Sequence, residues 1–242
     1  MAACRFAPGG GTVPTVVVDV WRVDLDGDHD ASVLERAELD RGARKRDERT
    51  RARFLASRAW LRVILAGYLD IEPAQVRYEV AGRGKPFVAG GGDVCFSVSR
   101  SADVALVAVS RRGDVGVDVE RIRGDVDHIG LADRFFTAAE AEMLRSVPGP
   151  DRVAAFFELW VRKEAVVKAS GDGLAGGLGH VDVRDGIAGG RWSLAAVDAG
   201  PGFRAAVATS GAPLAHRVLD VTASLAGAGR RSTPPAARRG SR

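Results

Sequence analysis

Hydrophobic and polar positions along the chain follow one rhythm and then repeat it. Thr15 to Asp24 (TVVVDVWRVD) is a β-branched run that predicts a strand. Ser32 and Glu35 have the spacing of a capping box and predict a short helix through about Asp40. Over residues 44–66, Phe54, Leu55, Leu61, Ile64 and Leu65 recur at helical intervals and predict a long helix. Three strands are expected next, near Val76–Val80, Val94–Val98 and Val104–Val109. The second half keeps this order. Val115–Glu120 reads as a strand, Thr137 with Glu140 forms another capping box opening a helix to about Val147, and Pro148-Gly149-Pro150 breaks it. A long helix over Asp151–Ser170 follows, then strands near His180–Arg184, Arg191–Val197, Phe203–Ala208 and Arg217–Thr222. The repeat is one of pattern, with little residue identity. It predicts an α+β fold of two similar halves, 15–113 and 114–225, joined near Arg111 to Asp114 with a cleft between them.

Composition alters this picture mainly at the ends. The chain has 242 residues, 46% of them hydrophobic and 27% charged, enough to bury one large core or two small ones. No apolar run approaches the roughly 20 residues of a membrane span, and the Gly/Pro-rich residues 1–14, expected to be flexible, lack the apolar core of a secretory signal. A cytoplasmic location is therefore expected, with no membrane partner. Residues 226–242 carry five Arg and no acid, so removing them takes the formal charge from +4 to −1. This tail is expected to be disordered, and a nearly neutral folded part argues against a generic nucleic-acid binder. Cys4 and Cys95 are too few for a disulfide framework, and neither has a His in zinc-ligand spacing.

Candidate chemistry centres on the helix ending Trp160-Val161-Arg162-Lys163-Glu164-Ala165-Val166-Val167-Lys168 before Gly171. Trp160, Glu164 and Lys168 stand at i, i+4 and i+8, so an aromatic, a carboxylate and an amine share one stripe. Glu164 and Lys168 alone could be a surface ion pair. However, the chain has 35 Lys and Arg, and Lys occurs only at 45, 85, 163 and 168. Two of the four fall in this helix, which favours a role that a compact, readily shifted ammonium serves better than a guanidinium. In Val115-Gly116-Val117-Asp118-Val119-Glu120, strand alternation sends the three Val to one face and Gly116, Asp118 and Glu120 to the other. Two neighbouring carboxylates belong either to an exposed polar face or to a hard divalent cation such as Mg²⁺, for which Glu164 would be a third acid. Gly82-Arg83-Gly84-Lys85-Pro86-Phe87 sets a rare Lys in a turn, and Phe96-Ser97-Val98-Ser99-Arg100-Ser101 ends a strand with hydroxyls and a cation suited to phosphate oxygens. Between Glu35 and Arg62 ten basic residues face five acids, either a solvated helix face or an anion site.

Taken in series, G-K-P, F-x-x-S-x-S, G-V-D-V-E, F-F-x-x-x-E and W-x-x-K-E-A-x-x-K resemble the 4'-phosphopantetheinyl transferases of the Sfp type, from about Arg44 to Gly173 with a weaker echo at Gly202-Phe203-Arg204. The resemblance implies a pseudo-twofold pair of α+β halves and coenzyme A bound in the cleft. It implies transfer of the phosphopantetheine arm to a serine of an acyl or peptidyl carrier protein of polyketide, nonribosomal-peptide or fatty-acid synthesis. By position, Asp118, Glu120 and Glu164 match the family's Mg²⁺-binding acids, and Glu164 and Lys168 its catalytic pair. Lys85, Ser99 and Arg100 fall where the family holds coenzyme A phosphates, and Arg53 is a nucleotide contact. One departure is clear: the family usually has His where Arg100 stands. A guanidinium clamps phosphate bidentately but shuttles no proton near neutral pH. Two fused halves would enclose the site in one chain, so a monomer is expected. The rivals are a Mg²⁺-dependent nuclease, which would place a Lys just after Glu120 where Arg121 and Ile122 stand, and a non-catalytic coenzyme A or carrier-protein binding module, which would not need Glu164 and Lys168 together with the metal pair.

Overall fold

In the computed structural model, residues 15–80, 84–171, 178–211 and 213–221 are described. The expectations for residues 1–14 and for the tail 226–242 lie outside them. In chain order the elements are β1 (Val16–Asp24), α1 (Arg36–Ala43), α2 (Glu48–Leu69), β2 (Tyr78–Val80), β3 (Pro86–Val88), β4 (Cys95–Ser101) and β5 (Val104–Ser110). Then follow β6 (Val115–Arg121), α3 (His128–Phe135), α4 (Ala138–Ser146), α5 (Gly149–Ser170), β7 (Ile187–Ala188), β8 (Trp192–Ala196), β9 (Phe203–Ser210) and β10 (Leu214–Asp220).

The mixed α+β order matches the hydrophobic pattern, and the departures have local causes. The short first helix starts at Arg36 because Glu35 and Glu38 cap it reciprocally; Ser32 instead sits in a 3-10 turn whose backbone is held by the Asp30 carboxylate. Asp47 accepts from the Thr50 N–H as N-cap, so α2 starts at Glu48, four residues inside its expected span. The Thr137/Glu140 box opens α4 as expected. No strand forms over 180–184, where the backbone is committed elsewhere: Val181 O and Val183 N–H bond to the side chains of Lys163 and Glu140. The short elements β3, α3 and β7 carry too little periodicity to be legible.

Four strands form one sheet in the order β10-β1-β5-β4, and four form another in the order β6-β9-β8-β7. β10 pairs parallel with β1, so the chain returns at its end to the sheet it began rather than closing within the second half. One apolar cluster lies between α2 and the first sheet (Leu61, Leu65, Trp21, Phe96, Val107). A second fills the space between the sheets (Val18, Val20, Leu106, Val115, Val117, Val119, Val207), and a third underlies α5 (Phe156, Leu159, Ala165, Trp192, Ala206). The Val face of β6 is thus consumed by the inter-sheet core, which leaves Gly116, Asp118 and Glu120 on the side of α5.

Two contacts fix where the acids lie. The edge strands β4 and β6 meet through serine hydroxyls rather than a backbone ladder: Ser97 Oγ accepts from Val117 N–H at 3.1 Å and Ser101 Oγ from Arg121 N–H at 3.0 Å. On the other side, α5 lies so close to β6 that a Cβ at Gly116 would stand 2.0 Å from Ala165 O and 2.4 Å from Ala169 N. Both obstacles are backbone, so no rotamer change relieves them. Gly116→Ala is expected to cost at least about 2 kcal/mol, because α5 must back away from β6. Urea denaturation measures it, and a loss under about 0.5 kcal/mol would contradict the contact.

Candidate active site

The stripe expected on the long helix faces one cavity. Trp160, Glu164 and Lys168 of α5 line it together with Asp118 and Glu120 of β6, Ser99 and Arg100 of β4, and Ser57 and Arg58 of α2; its volume is about 480 Å³. At its floor Lys168 Nζ donates to Asp118 Oδ1 at 2.7 Å and to Ser99 Oγ at 2.9 Å, and the Ser99 hydroxyl donates to the same Oδ1 at 2.7 Å. Ser101 donates to Glu120 Oε2 at 2.7 Å. Asp118 is 3% exposed, and its Oδ2 accepts no hydrogen bond from the described residues.

Burial dominates the electrostatics. It raises the pKa of Asp118, against the opposing pull of Lys168 and Ser99. Burial likewise raises Glu120, with the Ser101 hydroxyl working against it and the Asp118 charge adding to it. Glu164, half-buried, is pushed up to about 6 by burial first and then by Asp118 and Glu120, with Lys168 only partly offsetting them. Asp118 raises both glutamates and Glu120 raises Glu164 across the shared cavity, which makes it a negative site whose charge the Lys168 ammonium only partly offsets.

Such a donor set suits a hard divalent cation. The three acids share the cavity without forming a finished cage: among the described residues no three His, Cys, Asp or Glu side chains are gathered closely enough to hold a metal ion. Mg²⁺ does not require one, since it commonly takes one or two carboxylates and completes its shell with water and substrate phosphate. The Asp118 Oδ2, without a hydrogen-bond donor among the described residues, and the Glu120 carboxylate fit that role, and Glu164 lines the same cavity.

Cations gather at the other end. Arg58 and Arg100 line that end, each Cζ 5.4 Å from the centre of the Phe54 ring, and Lys45 Nζ, outside the cavity lining, stands 4.8 Å from the same ring; among the described residues none of the three pairs with a carboxylate. A second cavity of about 360 Å³, lined by Arg41, Tyr78, Lys85 and Phe96 among others, shares Arg58, Val98 and Lys168 with the first. Two of the expected phosphate contacts are engaged within the protein. Arg53 grips Asp26 with Nε and Nη2, both at 2.6 Å, holds that carboxyl well below its usual range, and lines neither cavity. Lys85 lines the second cavity, but its Nζ donates to Asp114 Oδ1 at 2.7 Å and to Ala169 O at 2.6 Å, closing the C-terminal end of α5. Arg58 and Ser101, which the sequence presents only as part of the basic helix and of the hydroxyl-rich strand end, also serve the site. Arg58 follows Phe54 by one helical turn and Ser101 follows Ser99 by one strand repeat, so both were legible as same-face neighbours.

Comparisons with known proteins point the same way. Residues 114–199, which hold β6 and α5, match the family model of the 4'-phosphopantetheinyl transferase superfamily. The chain is similar to 4'-phosphopantetheinyl transferase HetI of Nostoc sp., at 40% identity over 166 residues, covering 65% of this chain and 70% of that protein. It is 32% identical over 192 residues to the L-aminoadipate-semialdehyde dehydrogenase-phosphopantetheinyl transferase of Eremothecium gossypii, covering 76% and 70%. With 4'-phosphopantetheinyl transferase psf-1 of Bacillus pumilus it shares 35% over 132 residues, about half the length of each (54% and 55%).

The Glu164 carboxyl provides a pH test of the site. Its folded pKa of about 6 lies above the ordinary 4.5, so the charged form is disfavoured in the folded state; that penalty builds as pH rises through 6 and vanishes below about 4.5. In the presence of a chelator, Glu164→Gln should therefore stabilise the protein by on the order of 1 kcal/mol at pH 8 and by nothing measurable at pH 4.5. Thermal denaturation at the two pH values reads this, and equal effects at both would contradict the stated electrostatics.

Proposed function

The chain belongs to the 4'-phosphopantetheinyl transferase superfamily, and on that premise we propose that it moves the phosphopantetheine arm of coenzyme A to a serine of an acyl or peptidyl carrier protein in the Sfp manner, with Mg²⁺ held by Asp118 and Glu120, water and substrate phosphate, and Glu164 as the third acid of the same cavity. The observation that carries this reading is the convergence of three acids, Lys168 and Ser99 on one cavity whose far end is lined by Arg58 and Arg100, neither paired with a carboxylate among the described residues. Coenzyme A has two anionic groups, a diphosphate and a phosphate monoester, and the two ends of the site suit them separately. The pseudo-twofold relation of two halves belongs to the same reading, supported by a four-stranded sheet and a long helix on either side of the β4–β6 seam.

The carrier's serine oxygen forms a bond to the β-phosphorus of coenzyme A while the diphosphate bond breaks, and 3',5'-ADP leaves with the bridging oxygen. Bound divalent metal would neutralise charge on the diphosphate oxygens. Glu164 takes the serine proton, directly or through water; a pKa of about 6 leaves it ionised at neutral pH and still basic enough for the task. Lys168 offers its ammonium to the charge that develops on the phosphoryl oxygens, and Ser99 and Asp118 hold that ammonium in place. Arg58 and Arg100 repel one another unless an anion lies between them: burial first, and then the Arg58 charge, lowers the pKa of Arg100, and a phosphate bound there relieves the repulsion.

Carrier recognition rests on fewer charges than the composition of α1 and α2 suggests. Arg36, Arg46, Arg49, Arg51, Arg53 and Arg62 are each paired with acids of the same chain, which leaves Arg41, Arg44, Lys45 and Arg58 to present positive potential to an acidic partner. The same pairing weakens the case for a nuclease. Incubation of an apo carrier protein with the chain, coenzyme A and Mg²⁺ should add one phosphopantetheine arm by intact mass, and Asp118→Ala or Lys168→Ala should slow this by on the order of 10² to 10³. Near-parental transfer by either variant would overturn the assignment, and retained coenzyme A binding with no transfer by the parent would favour the binding-module reading.

A further inference from the structure

The most deeply buried ion pair among the described residues lies outside the site. Lys163 Nζ and Glu140 Oε2 are 2.7 Å apart, with side chains 1% and 0% exposed. Lys163 also donates to Val181 O at 2.8 Å. Glu140 Oε2 accepts from Thr137 N–H at 2.8 Å and Thr137 Oγ1 at 3.0 Å, while Oε1 accepts from Val183 N–H at 2.9 Å. One carboxylate thus ties together the start of α4, the unpaired segment after α5, and α5 itself. Neither residue lines either cavity.

A buried pair of this kind is a poor source of net stability, because desolvation of both charges offsets their attraction; apolar replacements are often neutral or better. Its geometry suggests another use. α5 meets β6 through Gly116, Ala165 and Ala169, small residues that allow close approach and carry no long side chain to key the two elements together there. Lys163 directly precedes Glu164 and stands five residues before Lys168. With side-chain tips about 5–6 Å from the helix axis, a rotation of ~20° would move both site groups by about 2 Å. Displacements near 1 Å are enough to cost on the order of 10² in rate.

We propose that the Lys163–Glu140 pair is a positioning pair for the transfer reaction: it sets the rotation of α5 about its own axis and so aims Glu164 and Lys168 into the acid-lined cavity. The proposal rests on the transferase reading given above. A lysine serves here in an arginine-rich chain because a compact ammonium with three donors can satisfy a carboxylate and a carbonyl in a site closed to water.

The test uses the full chain. Lys163→Met alone should be strongly destabilising, since it leaves a buried carboxylate uncompensated. The double variant K163M/E140Q, in which the amide oxygen can still accept from a backbone N–H, should recover thermal stability to within a few degrees of the parent. Its kcat should nonetheless stay 10- to 100-fold down, with KM for coenzyme A within about twofold. Lys163→Arg, which keeps the charge but lengthens the link, should fold and lose kcat in the same way. A readout independent of turnover is the indole N–H resonance of Trp160, which lies on the same stripe as Glu164 and Lys168. It should shift in both variants while those of Trp21 and Trp60 hold still. Parental kcat and an unmoved Trp160 signal in a stable variant would overturn the proposal. An inactive parent would sink the transferase reading alone, leaving the Trp160 signal to decide the positioning.

Discussion

The rest of the structure depends on how closely a helix can lie against a strand. At Gly116 the backbone of α5 presses on β6 in the space a methyl group would need, with Ala165 and Ala169 as the facing positions. That approach brings Glu164 and Lys168 over Asp118 and Glu120, one strand repeat and two beyond the glycine. It also removes water from around the carboxylates, which is why burial leads the causes that raise all three acids. Packing and reactivity therefore have one origin: the contact that excludes solvent also makes the acids reluctant to carry charge until a cation joins them.

A second constraint acts from the opposite side. β4 carries Ser97, Ser99 and Ser101 at strand spacing, and each hydroxyl reaches across to β6, the outer two as acceptors for backbone N–H groups and the central one as a donor to Asp118. Hydroxyls thus do what a backbone ladder does elsewhere and tie one sheet to the other at the point where the acids emerge. Ser101 serves twice, since it also holds Glu120. The site is consequently polarised, with acids and the Lys168 ammonium where α5 meets β6, and Arg58 and Arg100, unpaired with acids among the described residues, beside Phe54 where α2 meets β4. A ligand carrying separated phosphates satisfies both ends, and a single small anion satisfies one.

Much of this was legible in the chain before any coordinates. The alternation in Val115 to Glu120 separated core valines from acids, and the i, i+4, i+8 stripe of Trp160, Glu164 and Lys168 named the helix face that lines the cavity. The scarcity of Lys marked four positions worth following, but not their uses. Lys168 reaches the cavity, Lys45 joins the cations around Phe54, Lys85 closes a helix end, and Lys163 is locked in a buried pair. Arg53 shows the complementary failure, because its partner Asp26 lies 27 residues away in a turn after β1 that no local pattern connects to α2. The missing strand over 180–184 has the same root: Glu140 and Lys163 capture backbone groups that a strand would have spent on a neighbour. Local periodicity reports which face a residue occupies, whereas long-range polar partners are decided by topology. The family match over 114–199 covers the half in which the local pattern was most informative.

The central claim, that the diphosphate of the substrate sits against the three acids and the monoester at the cationic end, can be read directly from phosphorus resonances. With Mn²⁺ in place of Mg²⁺, ³¹P NMR of coenzyme A bound to the chain should show the two diphosphate signals broadened far more than the monoester signal, and Asp118→Asn should abolish the difference. Equal broadening of all three phosphorus signals, or selective broadening that survives in the Asp118→Asn variant, would contradict it.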